Sequence, residues 1–298
     1  MKKMGLTMSI IFEAESANYG EGFGNITSLK KITRETGEVY SYISRQAIRY
    51  NIINQMGVDN TKLGLDTVIQ FAPDANIKDY PEIDLFGYMK TIKPTKTRSA
   101  VVRLSNAIAL ESYSGEIDFL TNKSLFDRYT KQTGGVTKEG NNEKTGGDIA
   151  QSEIQKSYYS YTLTIDLDKV GIDENDNINI EAEEKYDRIS KLLNVIKFLY
   201  RDIRGRREDL KPIFIIGGVY DIKNPFFENK LKIKNNKLIV ETIEDVLGLD
   251  KRIAQNTKVG LIRGIFNNDA EIGEKLSVGS VASFFDEVEN EVKKYYGV

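Results

Sequence analysis

The chain has 298 residues, with 42 Lys and Arg against 44 Asp and Glu, and it contains neither Cys nor His. The missing Cys excludes disulfide bonds, zinc-thiolate sites and thiol nucleophiles, and the missing His excludes Ser-His-Asp triads and His metal ligands. The net charge of −2 means that any groove for nucleic acid would have to come from local segregation of charge.

The N-terminal segment has two lysines followed by the apolar run Met4–Phe12, an outline shared with signal peptides. The region where a cleavage site would lie instead carries three acids, Glu13, Glu15 and Glu21. This pattern favours a buried first strand over a signal peptide. The longest apolar run, Ile213–Tyr220, is far shorter than the about 20 residues that a membrane helix needs. We therefore expect a cytoplasmic protein without membrane contact, which a Cys-free composition fits.

The next elements surround a strong helix signal. A polar, Gly-rich stretch from Asn18 to Asn25 indicates a loop, and Val39–Ile43 predicts a short strand. Ser44 can cap a helix that runs to Met56 and ends at Gly57. Within this helix Arg45 and Arg49 are four residues apart, and Gln46 and Arg49 are three apart, so these side chains are neighbours on one edge.

The middle of the chain is less regular. Residues 58–98 show no clear period, residues 99–111 suggest a strand, and the glycines of residues 131–153 indicate a mobile loop. Clean alternation over Tyr158–Asp166 predicts another strand.

The last third predicts four further elements. Apolar residues recur at three- and four-residue steps through residues 181–204, which predicts a long helix ending at Gly205. A hairpin turning at Asn235-Asn236, a strand over residues 258–266 and a helix starting at Ser280 follow. Because strands and helices do not alternate regularly, the pattern favours an α+β fold over a doubly wound sheet.

Two segments concentrate positive charge. The stretch from Leu85 to Leu110 contains no acid and five bases, Lys90, Lys93, Lys96, Arg98 and Arg103. It predicts a surface that follows a phosphate backbone, although a solvated basic loop has the same composition. A second cluster, residues 201–211, is either a basic finger that grips a backbone or the cationic end of a helix.

No motif for a cofactor or metal is complete. The sequence GEGFGN at residues 20–25 lacks the third glycine of a dinucleotide fingerprint, because Asn25 is there. Asp173, Asn175 and Asn177 resemble the start of a calcium loop, but Ile178 replaces its required glycine. We therefore expect no cofactor and no metal.

Several spaced motifs together resemble the DevR-type backbone subunit of type I-B CRISPR Cascade, a family of the RAMP superfamily. The resemblance spans roughly residues 5–265 and keeps the family's order. Its motifs are Ala17-Asn18-Tyr19, Asn25, Tyr42-Ile43-Ser44-Arg45-Gln46-Ala47-Ile48-Arg49, Asp84-Leu85-Phe86-Gly87-Tyr88-Met89, Arg98-Ser99-Ala100-Val101-Val102-Arg103 and Tyr158-Tyr159-Ser160-Tyr161.

The resemblance implies an α+β fold with an RRM-like (ferredoxin-like) palm, a helical finger insertion and a protruding thumb. The expected boundaries are residues 1–57, 157–203 and 229–298 for the palm, 58–156 for the finger and 204–228 for the thumb. The implied function is non-catalytic: copies would stack along a CRISPR RNA, together with other Cascade subunits, and present the guide for pairing with a target DNA strand.

The resemblance also implies RNA-binding residues. Asn18, Asn25, Ser44, Gln46 and Arg49 match positions near the backbone phosphates, Arg45 adjoins them, and Met89 matches an apolar wedge beside a displaced base. Lys90, Lys93 and Arg98 come from the acid-free segment, and Arg204, Arg206 and Arg207 fall in the expected thumb.

Two alternatives remain open at this level. An RNA-cleaving subunit like those of the type III complexes would use a finger acid such as Asp127 or Asp148. A protein-only scaffold would bind no nucleic acid, and the negative net charge is its only support.

Overall fold

The structure is a computed structural model that describes residues 2–23, 26–34, 37–91, 93–133, 138–139, 142–143 and 149–298. Within them lie eight α-helices and a 3₁₀ turn, Leu167–Lys169: α1 Arg45–Met56, α2 Pro81–Phe86, α3 Lys123–Thr133, α4 Ala182–Lys197, α5 Glu241–Leu247, α6 Lys251–Asn256, α7 Asp269–Leu276 and α8 Val281–Tyr296. In this part of the chain, no helix is long and apolar enough to cross a membrane.

The strands of the same residues, in chain order, are β1 Gly5–Ala14, β2 Tyr19–Phe23, β3 Ile26–Leu29, β4 Lys31–Thr33, β5 Val39–Ile43, β6 Leu63–Leu65, β7 Ile69–Phe71, β8 Tyr88–Lys90, β9 Lys96–Arg98, β10 Val102–Leu104, β11 Ala107–Ala109, β12 Glu116–Thr121, β13 Lys138–Glu139, β14 Asn142–Glu143, β15 Ile149–Ile154, β16 Ser157–Asp166, β17 Ile172–Asp173, β18 Ile178–Asn179, β19 Tyr200–Ile203, β20 Arg206–Asp209, β21 Phe214–Tyr220, β22 Ile233–Lys234, β23 Lys237–Leu238, β24 Lys258–Leu261 and β25 Gly279–Ser280.

A mixed central sheet organises the molecule. Its strands follow the order β25-β24-β21-β1-β16-β11-β5-β4, and β10 also pairs with β16. Strand β1 lies between β16 and β21 and runs antiparallel to both, from Gly5 opposite Asp166 to Ala14 opposite Ser157. Strand β1 has neighbours on both edges and is buried on both faces. Its sequence is therefore a nearly continuous apolar run.

Each face of the sheet has its own hydrophobic core. Leu6, Met8, Ile10 and Phe12 point into the larger core, which contains the apolar stripes of α1, α4 and α8. Ile11 points the other way, into a second core that includes buried residues of α5, α6 and α7. This division follows from the two-residue period of side chains along a strand.

Predictions that depend on local signals are confirmed. Strand β1 is buried, α1 begins after a Ser44 cap and ends at Gly57, and Gly57 has the positive φ of 61° that favours glycine. The hairpin turns at Asn235-Asn236, where both residues have positive φ. Helix α8 starts after Ser280, whose side chain accepts a hydrogen bond from the backbone of Ser283.

The predicted helix over residues 181–204 is too long. Helix α4 ends at Lys197, and β19 and β20 form a hairpin that turns at Arg204-Gly205, both with positive φ. The apolar spacing continued through Leu199 and Ile203, but Leu199 is buried in the core beyond the end of α4, and Ile203 is half-buried on the hairpin. A two-residue turn with positive φ closes an antiparallel pair, which overrides the helical period.

Three further predictions differ from the structure. The polar stretch after Asn18 contains strands β2 and β3, which pair with each other. Residues 58–98 contain α2 and two hairpins, β6–β7 and β8–β9. The single strand predicted over residues 99–111 is two strands, β10 and β11, which pair with different parts of β16. The expected mobile loop lies mostly outside the described residues.

The α+β class is confirmed, whereas the division into palm, finger and thumb stays a prediction. Two strands within residues 58–156, β10 and β11, belong to the central sheet. The described remainder of that segment holds two helices, α2 and α3, and otherwise short strands.

Candidate nucleic-acid interface

The start of helix α1 is held by three polar contacts. Asn18 Oδ1 accepts a hydrogen bond from the backbone amide of Ser44 at 3.3 Å, and Asn106 Oδ1 accepts one from the amide of Arg45 at 2.9 Å. The Ser44 hydroxyl accepts from the Ala47 amide at 3.3 Å. Asn18 and Ser44 are therefore engaged in orienting the helix, and they fix the direction in which the next side chains project.

The side chains that project are Arg45, Gln46 and Arg49. Arg45 and Gln46 are exposed, and Arg49 is half-buried with its guanidinium 5.0 Å from the centre of the Phe86 ring. Burial lowers the pKa of Arg49, and nearby Glu82 partly opposes this shift. In the described part of the chain, neither arginine forms a salt bridge, so both cations are available to an anionic ligand.

A groove runs along this edge of α1. Its first part, which we call the α1 cavity, has a volume of about 400 Å³ and is lined by Arg45, Gln46, Arg49, Phe86, Ala100, Val102, Arg103 and Leu104. Two further cavities, of about 240 and 410 Å³, share Arg45 and Leu104 with it and extend over polar residues of β16. Arg34 and Lys232 line one of them and Lys223 the other, and Glu228 lines both.

The cations of the acid-free segment, residues 85–110, are less available to a ligand than the composition of the segment suggested. Lys90 is 1% exposed, and its ammonium donates to the carbonyl oxygens of Ala75 and Pro73. Burial lowers the pKa of Lys90. The Lys96 ammonium pairs with Asp176.

Arg98 is also engaged within the fold. Its guanidinium donates to Asp84 Oδ1 at 2.5 Å and to the carbonyl oxygen of Ile172 at 2.6 Å. Lys90 and Arg98 therefore both stabilise the fold, and their predicted contact with RNA stays a prediction. Their partners come from outside the segment, where a local count of acids could not find them.

Met89, Lys93 and Arg103 of this segment do face solvent. Met89 is 59% exposed, and Lys93 is exposed with no salt bridge among the described residues. Arg103 donates to Asp166 Oδ2 at 3.0 Å but stays half-exposed and lines the α1 cavity. Met89 lies three positions after Phe86, which lines the cavity, and three residues of chain span at most about 10 Å. Met89 therefore lies beside the groove.

The arginines predicted in the thumb lie on the β19–β20 hairpin, and acids hold two of them. Arg206 pairs with Glu15 at 2.8 Å and with Glu208 at 3.0 Å. Arg207 makes a two-point contact with Asp202, at 2.9 and 3.1 Å, which raises the pKa of Arg207 and lowers that of Asp202. These two cations are already compensated.

Arg204 is connected to the start of α1. Its guanidinium lies 4.2 Å from the centre of the Tyr19 ring and donates to Ser152 Oγ. Tyr19 follows Asn18, which in turn holds Ser44. Arg204 is thus linked through Tyr19 and Asn18 to the start of α1, while Asn25 lies outside the described residues.

Sequence reasoning missed three contributors: Phe86 as a partner of Arg49, Asn106 as a second support of the helix start, and Arg34 in the adjoining cavity. Phe86 and Asn106 act across more than 35 residues of chain, and no local pattern marks them.

Among the described residues, no group of three or more acids could hold a metal ion.

Comparisons with known proteins agree with this fold. A chain of a solved "CRISPR RNA-guided surveillance complex, pre-nicking" is 10% identical, with a TM-score of 0.62 over 97% of this chain and 100% of that one. A chain of another "CRISPR RNA-guided surveillance complex" is 12% identical, with a TM-score of 0.53 over 95% of this chain and 99% of that one. At such identities the likeness concerns the fold.

The search of curated proteins finds no match. The family model of the CRISPR-associated negative auto-regulator DevR/Csa2 matches residues 6–242, which is most of the chain. This protein is therefore a member of the CRISPR-associated DevR/Csa2 family.

Proposed function

We propose that this protein is a non-catalytic RNA-binding subunit of a CRISPR surveillance complex, in which the groove beside α1 holds the sugar-phosphate backbone of the guide. One observation carries the proposal: Arg45, Gln46 and Arg49 lie on one edge of α1 without ion-pair partners in the described chain, above a cavity whose lining has no acid. Family membership and the likeness to surveillance-complex chains support it.

The chemistry of the groove suits backbone recognition. Guide complexes leave sequence reading to base pairing, so the protein has to grip phosphates and ignore base edges. Guanidinium groups bind phosphate oxygens through two parallel donors, and an amide side chain such as Gln46 adds a neutral donor. Met89, exposed beside the groove, could wedge against a base.

The finer proposal is a backbone subunit of a type I-B Cascade. Several copies would stack head to tail along the CRISPR RNA, contact other Cascade subunits and leave the guide open to the target DNA strand. A heterologous contact of this kind need not close into a ring. A net charge of only −2 is compatible with it, since neighbouring copies would repel each other weakly.

A binding assay tests the proposal. The double variant Arg45→Ala/Arg49→Ala should weaken binding to all single-stranded RNA sequences alike, because phosphate contacts are independent of sequence. Two lost contacts should also reduce the slope of log affinity against log salt by about 1.4. Lys251→Ala/Arg263→Ala, which removes two exposed cations outside the groove lining, is the matched control. Equal affinity of the two double variants would contradict the proposal.

A second assay tests the absence of catalysis. Incubation of the chain or its complex with complementary RNA and Mg²⁺ should leave the RNA intact. Cuts at regular intervals would instead identify an RNA-cleaving subunit, with Asp127 and Asp148 as the residues to substitute. Asp127 is exposed and 3.8 Å from Lys123, whereas Asp148 lies outside the described residues.

A further inference from the structure

Two acids line the part of the groove that extends over β16. This part consists of the cavities of about 240 and 410 Å³, which we call the β16 cavities. Glu228 lines both of them, and Asp166 lines the larger one. An acid beside a polyanion lowers its affinity, because like charges repel. The position of each acid in this groove therefore calls for a physical explanation.

Asp166 is compensated within the fold. Its carboxylate accepts a hydrogen bond from Arg103 at 3.0 Å and lies 3.3 Å from the Lys223 ammonium. The carboxylate itself is largely buried, at 11% exposure. Asp166 therefore presents little uncompensated charge to a ligand.

Glu228 has no such compensation. Its backbone is fixed, since its amide donates to the carbonyl oxygen of Pro225 at 2.9 Å, and the residue is half-buried. Its carboxylate forms no salt bridge or hydrogen bond within the described part of the chain, although Arg45 lines both β16 cavities with it. The carboxylate thus keeps its full capacity to accept hydrogen bonds from a ligand.

The donors of a nucleic-acid strand decide what this carboxylate can bind. Phosphate oxygens only accept, so the donors of an RNA strand are the ribose 2′-hydroxyls and the base edges. In a guide the base edges pair with the target strand. The 2′-hydroxyl is present at every nucleotide whatever the sequence, and it is the group that distinguishes RNA from DNA.

The remaining lining of the β16 cavities suits a sugar better than a base. Ser160, Thr162 and Thr164 provide a polar, uncharged wall. Tyr161, an aromatic residue of the lining, is 2% exposed and belongs to the larger core, so it offers no stacking surface to a base. A guanidinium and a carboxylate in one cavity match a ribose-phosphate unit, in which an anionic phosphate adjoins a hydroxyl donor.

We propose that Glu228 recognises the sugar of the bound strand: its carboxylate accepts a hydrogen bond from a ribose 2′-hydroxyl beside a phosphate held by Arg45. This inference rests on the proposed function and deepens it, because it names a residue that selects RNA over DNA. Repulsion between the carboxylate and the phosphates weakens the binding of both strands, whereas the hydrogen bond offsets this loss only for RNA. Specificity of this kind combines an attraction for one ligand with a penalty for its competitor.

The test compares three single strands of one sequence: RNA, DNA and 2′-fluoro RNA. The 2′-fluoro strand keeps the sugar conformation and the charge of RNA, but its fluorine cannot donate a hydrogen bond. The unmodified protein should bind RNA about tenfold more tightly than 2′-fluoro RNA, as expected for one hydrogen bond to a charged acceptor. DNA should bind no better than 2′-fluoro RNA.

Two variants and a control assign this preference to Glu228. Glu228→Ala should reduce the ratio of the RNA and 2′-fluoro RNA affinities by about tenfold, while DNA binds more tightly because the repulsion is lost. Glu228→Gln retains a neutral acceptor and should keep part of the preference. Glu274→Ala removes an exposed acid of α7 outside the cavity linings and should leave the ratio unchanged.

The outcomes separate this inference from the proposed function. Equal binding of RNA and 2′-fluoro RNA by the unmodified protein, a comparison that needs no variant, would overturn the inference and leave the grip on the phosphates standing. If Glu228→Ala raises the affinity for all three strands by one common factor, Glu228 acts only through its charge and the inference is wrong. If none of the strands binds, the proposed function itself fails.

Discussion

Asp84 Oδ2 accepts a hydrogen bond from Arg188 Nη1 at 2.8 Å, and the Asp84 side chain has no exposed surface. The other carboxylate oxygen accepts from Arg98 at 2.5 Å and from the backbone amide of Gly171 at 2.9 Å. One buried carboxylate thus joins α2 to α4 and to the β8–β9 hairpin, and it holds in place the segment that carries Met89.

Asp84→Asn should destabilise the protein strongly. The amide cannot compensate two buried guanidinium groups, and removal of one partner of a buried ion pair costs about 3–5 kcal/mol. The free energy of unfolding in urea measures this effect. Asp202→Asn is the control, because Asp202 pairs with Arg207 at the surface, and it should change stability little. Equal effects of both substitutions on the free energy of unfolding would show that the buried Asp84 ion pairs contribute little to stability.

Substitutions of Lys90 and Lys93 should separate an effect on protein stability from an effect on RNA binding. Lys90→Met leaves the carbonyl oxygens of Ala75 and Pro73 without their buried donor, which costs about 1–3 kcal/mol, and should not change the salt dependence of RNA binding. Lys93→Met removes an exposed cation and should leave stability unchanged. If Lys93 contacts a phosphate, the salt slope falls by about 0.7. A smaller salt slope for Lys90→Met, with its stability unchanged, would instead place Lys90 in the RNA interface.

Two tyrosines on β16 should respond oppositely to loss of the hydroxyl. The Tyr159 hydroxyl forms a 2.7 Å hydrogen bond with Ser41 Oγ, whereas the buried Tyr161 hydroxyl has no partner among the described residues. Tyr159→Phe should cost about 1 kcal/mol, and Tyr161→Phe should be neutral or stabilising. Urea denaturation of the two variants measures the difference, and a larger loss for Tyr161→Phe would contradict the structure.

The protein should lose stability at alkaline pH. Burial raises the pKa of Tyr88, Tyr113, Tyr159 and Tyr295 to about 12, from an ordinary value of 10. Their stabilising contribution is complete below pH 10, where both states are protonated. It is lost as pH rises towards 12, because the unfolded chain ionises first.

Lys90 and Lys185 act in the opposite direction, since burial lowers the pKa of both. The phenols outnumber these amines, so the net stability should fall. Thermal unfolding midpoints measured from pH 8 to pH 11.5 check the direction. A midpoint that stays constant or rises above pH 10 would show that the phenols are not buried as described.

The helix that presents the candidate site was predictable because its signals are local. Ser44 and Gly57 bound α1, and the spacing of Arg45, Gln46 and Arg49 puts them on one edge in any helix. Which of the neighbouring cations have partners within the fold was not predictable from the sequence. Lys90 and Arg98 looked free because the segment that contains them has no acid, yet two backbone carbonyls engage Lys90, and Asp84, directly before the segment, pairs with Arg98. A buried charge needs a partner at any sequence distance.

By itself the sequence determined the caps, turns and periods of β1, α1 and α8, the α+β class and the lack of Cys and His chemistry. Only the tertiary structure decided that β19 and β20 form a hairpin, that acids hold Arg206 and Arg207, and that Arg49 meets Phe86 above an acid-free cavity. The physical reason is range: caps and periods act over a few residues, whereas ion pairs, stacking and cavities depend on which distant segments the fold brings together.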